Sequence, residues 1–207
     1  YNHYGSYADS STYKIEPLYV SDIEFGSGPP NIVDASRDPC APGLNEEVIV
    51  SAVITDNSDI TNAEIIYTMD GGGLWQTINM TQGVDDIWTG TIPSPGVNEN
   101  VHVFYYISAT DDGVDQDGPK TSRYPYDPVE SLGYVLTDEM NMALVQFTPY
   151  PSGNSLYDGC EVTVTGIVTG DSAQYNSGYG AYAIQGSANQ WDGIVFDGWD
   201  NTQLTRG

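Results

Sequence analysis

The stretch that most constrains the fold is Asn100–Gly113, in which apolar side chains alternate with polar or aromatic ones. One face carries Val101, Val103, Tyr105, Ile107 and Ala109, and the other carries His102, Phe104, Tyr106, Ser108 and Thr110. A two-residue period that is rich in β-branched and aromatic side chains is typical of a β-strand. The stretch runs into the acidic turn Asp111-Asp112-Gly113, so we expect a long central strand that ends beside carboxylates.

Shorter segments of the same kind surround this strand and are separated by turn residues. They are Asn31–Ser36, Glu47–Thr55, Ala63–Met69, Leu74–Met80, Ile87–Ile92 and Ser131–Thr137, and the sequence DGGG at Asp70–Gly73 indicates a hairpin. No helical periodicity lies between them, so the sequence predicts an all-β fold with an antiparallel sandwich over residues 29–137. The connection Asp111–Glu130 is long for a compact domain, so it is functional, is ordered by an ion or contains a short strand.

Residues 138–207 are predicted to form a second β-domain. Strands are expected at Met142–Thr148, Cys160–Thr169, Gly180–Gln185 and Gly193–Asp197, and Gly166 indicates a bulge or a sharp coil of the sheet. Three or four strands with unpaired edges are too few to close a β-domain. Either the protein continues past Gly207, or a strand from elsewhere completes the domain.

Residues 1–28 are predicted to be an extension that precedes the sandwich. Within it, Tyr13–Phe25 has strand composition, and Pro17 indicates an edge strand or a break. The candidate assembly residues are Tyr13, Ile15, Leu18, Val20, Ile23 and Phe25. If one copy donates this strand to the incomplete domain of the next, the contact is head-to-tail and generates a filament unless a ring closes. The alternative is that the sequence is a truncated part of a longer chain.

The charge balance argues against nucleic acid as a partner. Asp and Glu number 29 against five Lys and Arg, which gives a net charge of -24. Such a charge repels phosphate backbones and anionic membranes and attracts cations, although an acidic surface can also serve solubility alone. No apolar run is long enough to span a bilayer. The chain begins at Tyr1, so we expect a secreted or cell-surface protein whose export signal has been removed.

The two cysteines, Cys40 and Cys160, match no metal-binding spacing. In an oxidising compartment they can form one disulfide that joins the two domains. Two buried free thiols are the alternative interpretation.

Two sets of motifs resemble modules of secreted bacterial proteins. Residues 48–80, 87–95 and 101–113 carry Y-x-x-D-G-G-x-x-W, T-x-T-I-P and Y-Y-I-x-A-T-D-x-G in that order, and they resemble a widespread extracellular immunoglobulin-like module. Residues 153–170 and 182–198 resemble an OB-fold-like module, of which this sequence would hold only a partial barrel. Both modules recur in multidomain proteins with a type IX-like export route. The resemblance therefore implies an exported, modular protein and does not imply a catalytic activity.

The sequence carries no recognisable catalytic motif. It has two histidines, His3 and His102, and neither lies in a motif of a hydrolase, a metalloprotease, a phosphate-binding loop or a redox site. We therefore predict that this chain is not an enzyme.

The best candidate metal site is the acidic stretch DDGVDQDG at residues 111–118, because alternating carboxylates and glycine turns suit a hard cation such as calcium. The candidate ligands are Asp111, Asp112, Asp115 and Asp117, with Asp56 expected at the same end of the sandwich. The stretch lacks the late glutamate and the flanking helices of an EF-hand. A solvated acidic loop is the alternative, and no other cofactor is expected.

Two short motifs are candidate glycosylation sites: Asn79 in the sequon Asn79-Met80-Thr81, and Ser172 in Asp171-Ser172-Ala173. These observations together favour a non-catalytic extracellular structural protein, a surface or filament building block that assembles into a homopolymer through β-strand sharing. The alternative is a pair of accessory substrate-binding modules of a larger secreted nuclease or hydrolase.

Overall fold

The computed structural model describes residues 28–69, 73–113, 118–170 and 182–196, and in these ranges almost all regular structure is β-strand. The strands are β1 (Asn31–Asp38), β2 (Val48–Thr55), β3 (Ile60–Thr68), β4 (Gln76–Asn79), β5 (Thr81–Gln82), β6 (Ile87–Ile92), β7 (Val101–Asp111), β8 (Thr121–Tyr124), β9 (Leu132–Leu136), β10 (Ile167–Gly170), β11 (Tyr182–Gln185) and β12 (Gly193–Phe196). A single-turn helix, α1 (Met142–Val145), follows β9. No helix within these ranges has the length and apolar character that a bilayer crossing requires.

Two antiparallel sheets form a sandwich. One sheet has the strand order β1-β2-β6-β5, and the other has the order β4-β3-β7-β8 with β9 also paired to β7. Strand β7 is central because β3 lines one of its edges, while β9 and β8 divide the other edge between Val101–Tyr105 and Ile107–Thr110. Strand β8 lies inside the long connection after Asp111, which confirms that this connection contains a short strand.

The sandwich core consists of the faces that the alternation predicts. On β7, Val103, Tyr105, Ile107 and Ala109 are all buried, and the alternating residues of β2 that face them are buried as well. The full core also includes Ile32, Val48, Val50, Ala52, Ile54, Ala63, Ile65, Tyr67, Met80, Trp88, Ile92, Tyr134 and Leu136. Each fully buried aliphatic side chain contributes about 1.5–3 kcal/mol by leaving water. The predicted all-β sandwich class is confirmed.

Helix α1 corrects the strand that was predicted at Met142–Thr148. The side chain of Asn141 caps the helix by accepting a hydrogen bond of 3.0 Å from the backbone N–H of Leu144. The Gln146 amide then donates bonds of 2.8 Å to the carbonyls of Trp191 and Gly193, which fastens the helix to β12. A segment this short has no periodicity that separates a helical turn from a strand, so the cap decides its conformation.

The C-terminal part contains a three-stranded antiparallel sheet in the order β10-β11-β12, and the described residues contain no closed barrel. Only the last part of the predicted Cys160–Thr169 strand is a strand, and the irregularity of β10 lies between Val168 and Gly170. Gly166 has a different role, since a Cβ there would lie 2.5 Å from side-chain atoms of both Ile184 and Met142. Glycine at this position lets the chain pass close to the sheet and α1. The predicted domain boundary near residue 138 stays a prediction.

The two faces of β2 provide a matched test of the sandwich. Ile54 is 1% exposed and packs in the core, whereas Ile49 on the opposite face is 43% exposed. We expect Ile54→Ala to lower the free energy of unfolding by about 2–5 kcal/mol because it leaves a cavity. Ile49→Ala should cost roughly 0.5 kcal/mol or less. Urea denaturation of both variants measures the difference, and equal losses would contradict the assignment of the two faces.

Candidate functional site

The side chain of Arg37, near the end of β1, joins the sandwich to the segment that precedes β10. Its Nε donates a 2.8 Å hydrogen bond to the Cys40 carbonyl, and its Nη2 donates a 2.6 Å bond to the Leu156 carbonyl. The guanidinium also lies over the rings of Tyr134 and Tyr157, with its carbon 5.5 and 5.7 Å from the two ring centroids. Planar stacking and divergent N–H donors are properties of arginine that lysine lacks.

A disulfide lies beside this guanidinium. Cys40 and Cys160 are bonded with their Cα atoms 5.7 Å apart and 120 residues apart in the chain, so neither thiol is free. Arg37 Nη2 is 3.5 Å from the Cys160 sulfur. In the chain-entropy model, a loop of this length gives about 4–5 kcal/mol of stabilisation. The bond therefore holds the segment before β10 against the end of β1.

Tyr157 completes this junction from the other side. Its hydroxyl accepts a 3.1 Å bond from the Val135 backbone N–H and donates a 3.2 Å bond to the Val135 carbonyl. The Tyr157 hydroxyl thereby supplies hydrogen-bond partners for both the N–H and the C=O of Val135 on β9. Val135, Leu156 and Tyr157 are the buried centre of a second small core, separate from the sandwich core.

An open cleft of about 490 Å³ lies at this junction, and we call it the Arg37 cleft. Its walls come from β1, from the connection between β8 and β9, and from the segment before β10. Polar side chains line much of it: Ser36, Arg37, Glu130, Ser131, Ser152, Asn154, Ser155 and Asp158, together with Tyr105, Tyr124 and Tyr150. The disulfide cysteines form part of the same wall.

The tyrosines around Arg37 resist ionisation. Burial raises the pKa of Tyr105, Tyr134 and Tyr157 above the ordinary tyrosine value, and the positive charge of Arg37 only partly opposes the effect. Burial also raises the pKa of Tyr150 in the cleft wall, while a hydrogen bond with the side chain of Ser131 lowers it. Burial therefore favours the neutral form of these hydroxyls, which both donates and accepts hydrogen bonds.

The acidic end of β7 is organised by Asp111, which is 1% exposed. Its Oδ1 accepts backbone hydrogen bonds from Lys120 at 2.7 Å and from Gly113 at 3.1 Å, and these bonds close the base of the loop that follows. Its Oδ2 is buried and has no hydrogen-bond partner among the described residues. A buried carboxylate oxygen without a partner is unfavourable unless something compensates its charge.

The other candidate calcium ligands are only partly described. Asp56 lies in the turn after β2, at the same end of the sandwich, since β3 begins at Ile60 opposite Asp111. Asp115 and Asp117 lie outside the described residues. Within the described part of the chain, no group of three or more His, Cys, Asp or Glu side chains is placed to hold a metal ion. Calcium binding therefore stays a prediction.

The remaining predicted sites divide between described and undescribed residues. Asn79, the last residue of β4, is exposed, whereas Met80 in the same sequon is buried in the sandwich core. Ser172 lies outside the described residues, as do the assembly residues Tyr13, Ile15, Leu18, Val20, Ile23 and Phe25. His102 packs edge-on against the ring of Phe147 at a centroid distance of 5.3 Å. The prediction that the chain is not an enzyme stays a prediction.

Sequence reasoning did not identify Arg37 or the cleft. The available signal was that Arg37 is one of only five cationic residues and stands three residues before a cysteine. Leu156, Tyr157 and Cys160 lie more than a hundred positions from Arg37 in the chain, and no local pattern connects them to it.

Comparison of the chain with protein-family models and with curated protein sequences finds no match.

Alkaline pH should destabilise the protein through its buried tyrosines. Because the folded pKa of Tyr105 is raised, stability is fully present below the unfolded pKa of about 10 and is lost as the pH rises beyond it. Above that pH the unfolded chain releases protons that the folded chain keeps. We expect the free energy of unfolding, measured by urea denaturation, to fall in this range.

Tyr105→Phe should make this pH dependence shallower. Tyr126→Phe is the matched control, because Tyr126 is 90% exposed, and it should leave the pH dependence unchanged. If both variants keep the full dependence, Tyr105 does not contribute to the alkaline loss of stability.

Millimolar calcium should raise the melting temperature and the protease resistance of the loop after β7, and EDTA should reverse both effects. At a free calcium concentration about 100-fold above the dissociation constant, the gain is ~2.7 kcal/mol. Asp112→Asn should weaken the response, whereas Asp158→Asn, which removes a carboxylate from the Arg37 cleft, should leave it unchanged. If neither calcium nor EDTA changes either measurement, the calcium hypothesis is wrong.

Proposed function

We propose that this chain is a non-catalytic structural module of an exported protein, secreted or held at the cell surface, and that it assembles by sharing β-strands with neighbouring copies. The Cys40–Cys160 disulfide supports an oxidising compartment, because such bonds are rare where thiols are kept reduced. The antiparallel sandwich and the bonded junction together supply a rigid unit, which is the property that a building block requires.

The observation that carries the proposal is the segment 161–166, which leads into β10. Its residues 161–165 alternate between exposed and half-buried, as in a strand. It is nevertheless not part of a sheet, and no backbone hydrogen bond joins it to another segment of the described chain. Backbone groups in such a stretch are able to pair with an added strand.

The C-terminal sheet also presents apolar surface. Ile167 on β10 pairs with Gln185 on β11, and Val195 on β12 pairs with Ala183, which is two residues from Gln185 on the same strand. Ile167 and Val195 therefore lie on the same face of the sheet. They are 62% and 59% exposed. Apolar side chains on a small sheet favour coverage by another segment, because burial removes them from water.

The donor that we propose is the segment Tyr13–Phe25 of a neighbouring copy. Its candidate residues form pairs that are two residues apart, so Tyr13, Ile15, Ile23 and Phe25 would share one face of an added strand. Leu18 and Val20 would lie on the other face. Donation from one copy to the next is head-to-tail, so it extends into a filament unless the rotation closes a ring.

A second function, as accessory substrate-binding modules of a larger secreted nuclease or hydrolase, is favoured by a separate observation. The Arg37 cleft has a volume of about 490 Å³ and polar walls, and ligand sites commonly fall within roughly 300–1,000 Å³. A structural module does not need such a cleft. Four further features stay predictions within this proposal. They are the immunoglobulin-like module, the OB-like module, a bound calcium ion, and glycans at Asn79 and Ser172.

Deletion of Tyr1–Phe25 tests strand sharing. We expect the intact chain to form oligomers or filaments in light scattering and electron microscopy, and the deleted chain to stay monomeric because the donor is absent. A milder variant, Ile15→Asp with Ile23→Asp, should also prevent assembly, while Ser6→Asp with Ser11→Asp adds the same charge outside the donor segment and should not. Equal assembly of the intact and deleted chains would refute strand sharing, and a monomeric intact chain would favour the accessory role.

A further inference from the structure

Three exposed polar residues of one short segment line the Arg37 cleft. Ser152, Asn154 and Asp158 line the cleft, and none of their side chains makes a hydrogen bond to another described residue. By contrast, Ser155 beside them is engaged: its hydroxyl donates to the Val145 carbonyl and accepts a 3.0 Å bond from the Tyr157 backbone N–H. One short segment therefore presents an amide, a hydroxyl and a carboxylate to the same cavity.

We propose that the Arg37 cleft is a binding site for a neutral saccharide. The site combines carboxylate acceptors on Glu130 and Asp158 with the Asn154 amide, which both donates and accepts. Sugar hydroxyls also both donate and accept, so they can satisfy these groups together. This assignment does not depend on strand sharing, because the cleft is built only from residues on one copy.

The charges in and around the cleft select against ionic ligands. Two carboxylates, those of Glu130 and Asp158, line the walls of a chain whose net charge is -24, and both disfavour an anion. The Arg37 guanidinium in the same wall disfavours an ammonium group. A neutral polyol avoids both repulsions and still offers donors to the carboxylates.

Aromatic side chains supply the other half of a sugar-binding surface. Tyr124 and Tyr150 lie in the cleft wall, and both are half-buried. A half-buried tyrosine combines an apolar ring with a polar hydroxyl, so it can pack against the C–H face of a sugar and also bond its hydroxyls. The cleft volume of about 490 Å³ falls within the range of small-ligand sites.

The experiment is saturation-transfer NMR of the whole chain with a panel of neutral mono- and disaccharides, namely glucose, galactose, mannose, N-acetylglucosamine, cellobiose and maltose. Lysine methyl ester serves as a cationic comparison and glucuronate as an anionic one. We expect at least one neutral sugar to show saturable transfer, and both charged probes to show none. Backbone amide shifts upon titration should map to Ser152–Asp158 and to Tyr124.

Variants then place the binding. Asn154→Ala should raise the dissociation constant about tenfold by removing an amide that donates and accepts. Asp158→Asn should raise it about tenfold by replacing a charged acceptor oxygen with an N–H donor. Asp59→Asn removes an exposed carboxylate from the turn after β2 and should leave the constant unchanged. A variant is compared only if its melting temperature equals that of the unmodified chain. If a variant does not fold, the amide shifts of the unmodified chain still show where the sugar binds.

Three results would overturn the proposal: no neutral sugar shows saturable transfer, only a charged probe does, or sugar binding is the same in all three variants with shifts that map elsewhere.

Discussion

Strand β7 is the element on which the rest of the structure depends, because it pairs with β3, β8 and β9. Its inward face supplies Val103, Tyr105, Ile107 and Ala109 to the sandwich core. The ring of Phe104 on its outward face packs edge-on against Tyr150, at a centroid distance of 5.9 Å, in the segment that follows the sandwich. One strand therefore joins the two sheets' common core to the C-terminal part of the chain.

The junction around Arg37 shows how a strongly acidic chain uses one of its few cations. The guanidinium bonds two backbone carbonyls, those of Cys40 and Leu156, and lies over Tyr134 and Tyr157. In this position the positive charge is stabilised by carbonyl dipoles and ring faces. The neighbouring disulfide covalently maintains the same contact, so the shape of the cleft and the placement of the C-terminal sheet depend on one small region.

The two proposed activities use different surfaces of this framework. The cleft needs walls from both β1 and the segment before β10, so it exists only while the junction is closed. The three-stranded C-terminal sheet is held to α1 by the hydrogen bonds from the Gln146 side chain to the carbonyls of Trp191 and Gly193. Among the described residues, segment 161–166 forms no backbone hydrogen bond to another segment, and the proposed assembly would use this segment. The proposed saccharide site would use the Arg37 cleft.

The sequence by itself determined most strands of the sandwich and the alternating faces of β2 and β7, because the two-residue period is a local property that survives any arrangement of the sheets. It also indicated that Asp111 would end the central strand. It did not determine the short strands β5 and β8. Only the tertiary structure decided that Met142–Val145 is a helix, that Gly166 lies against Ile184, and that Arg37 lies beside the disulfide. Those features depend on contacts between distant parts of the chain or on a single helix cap. Such contacts produce no periodic pattern in the sequence, so the sequence alone does not predict them.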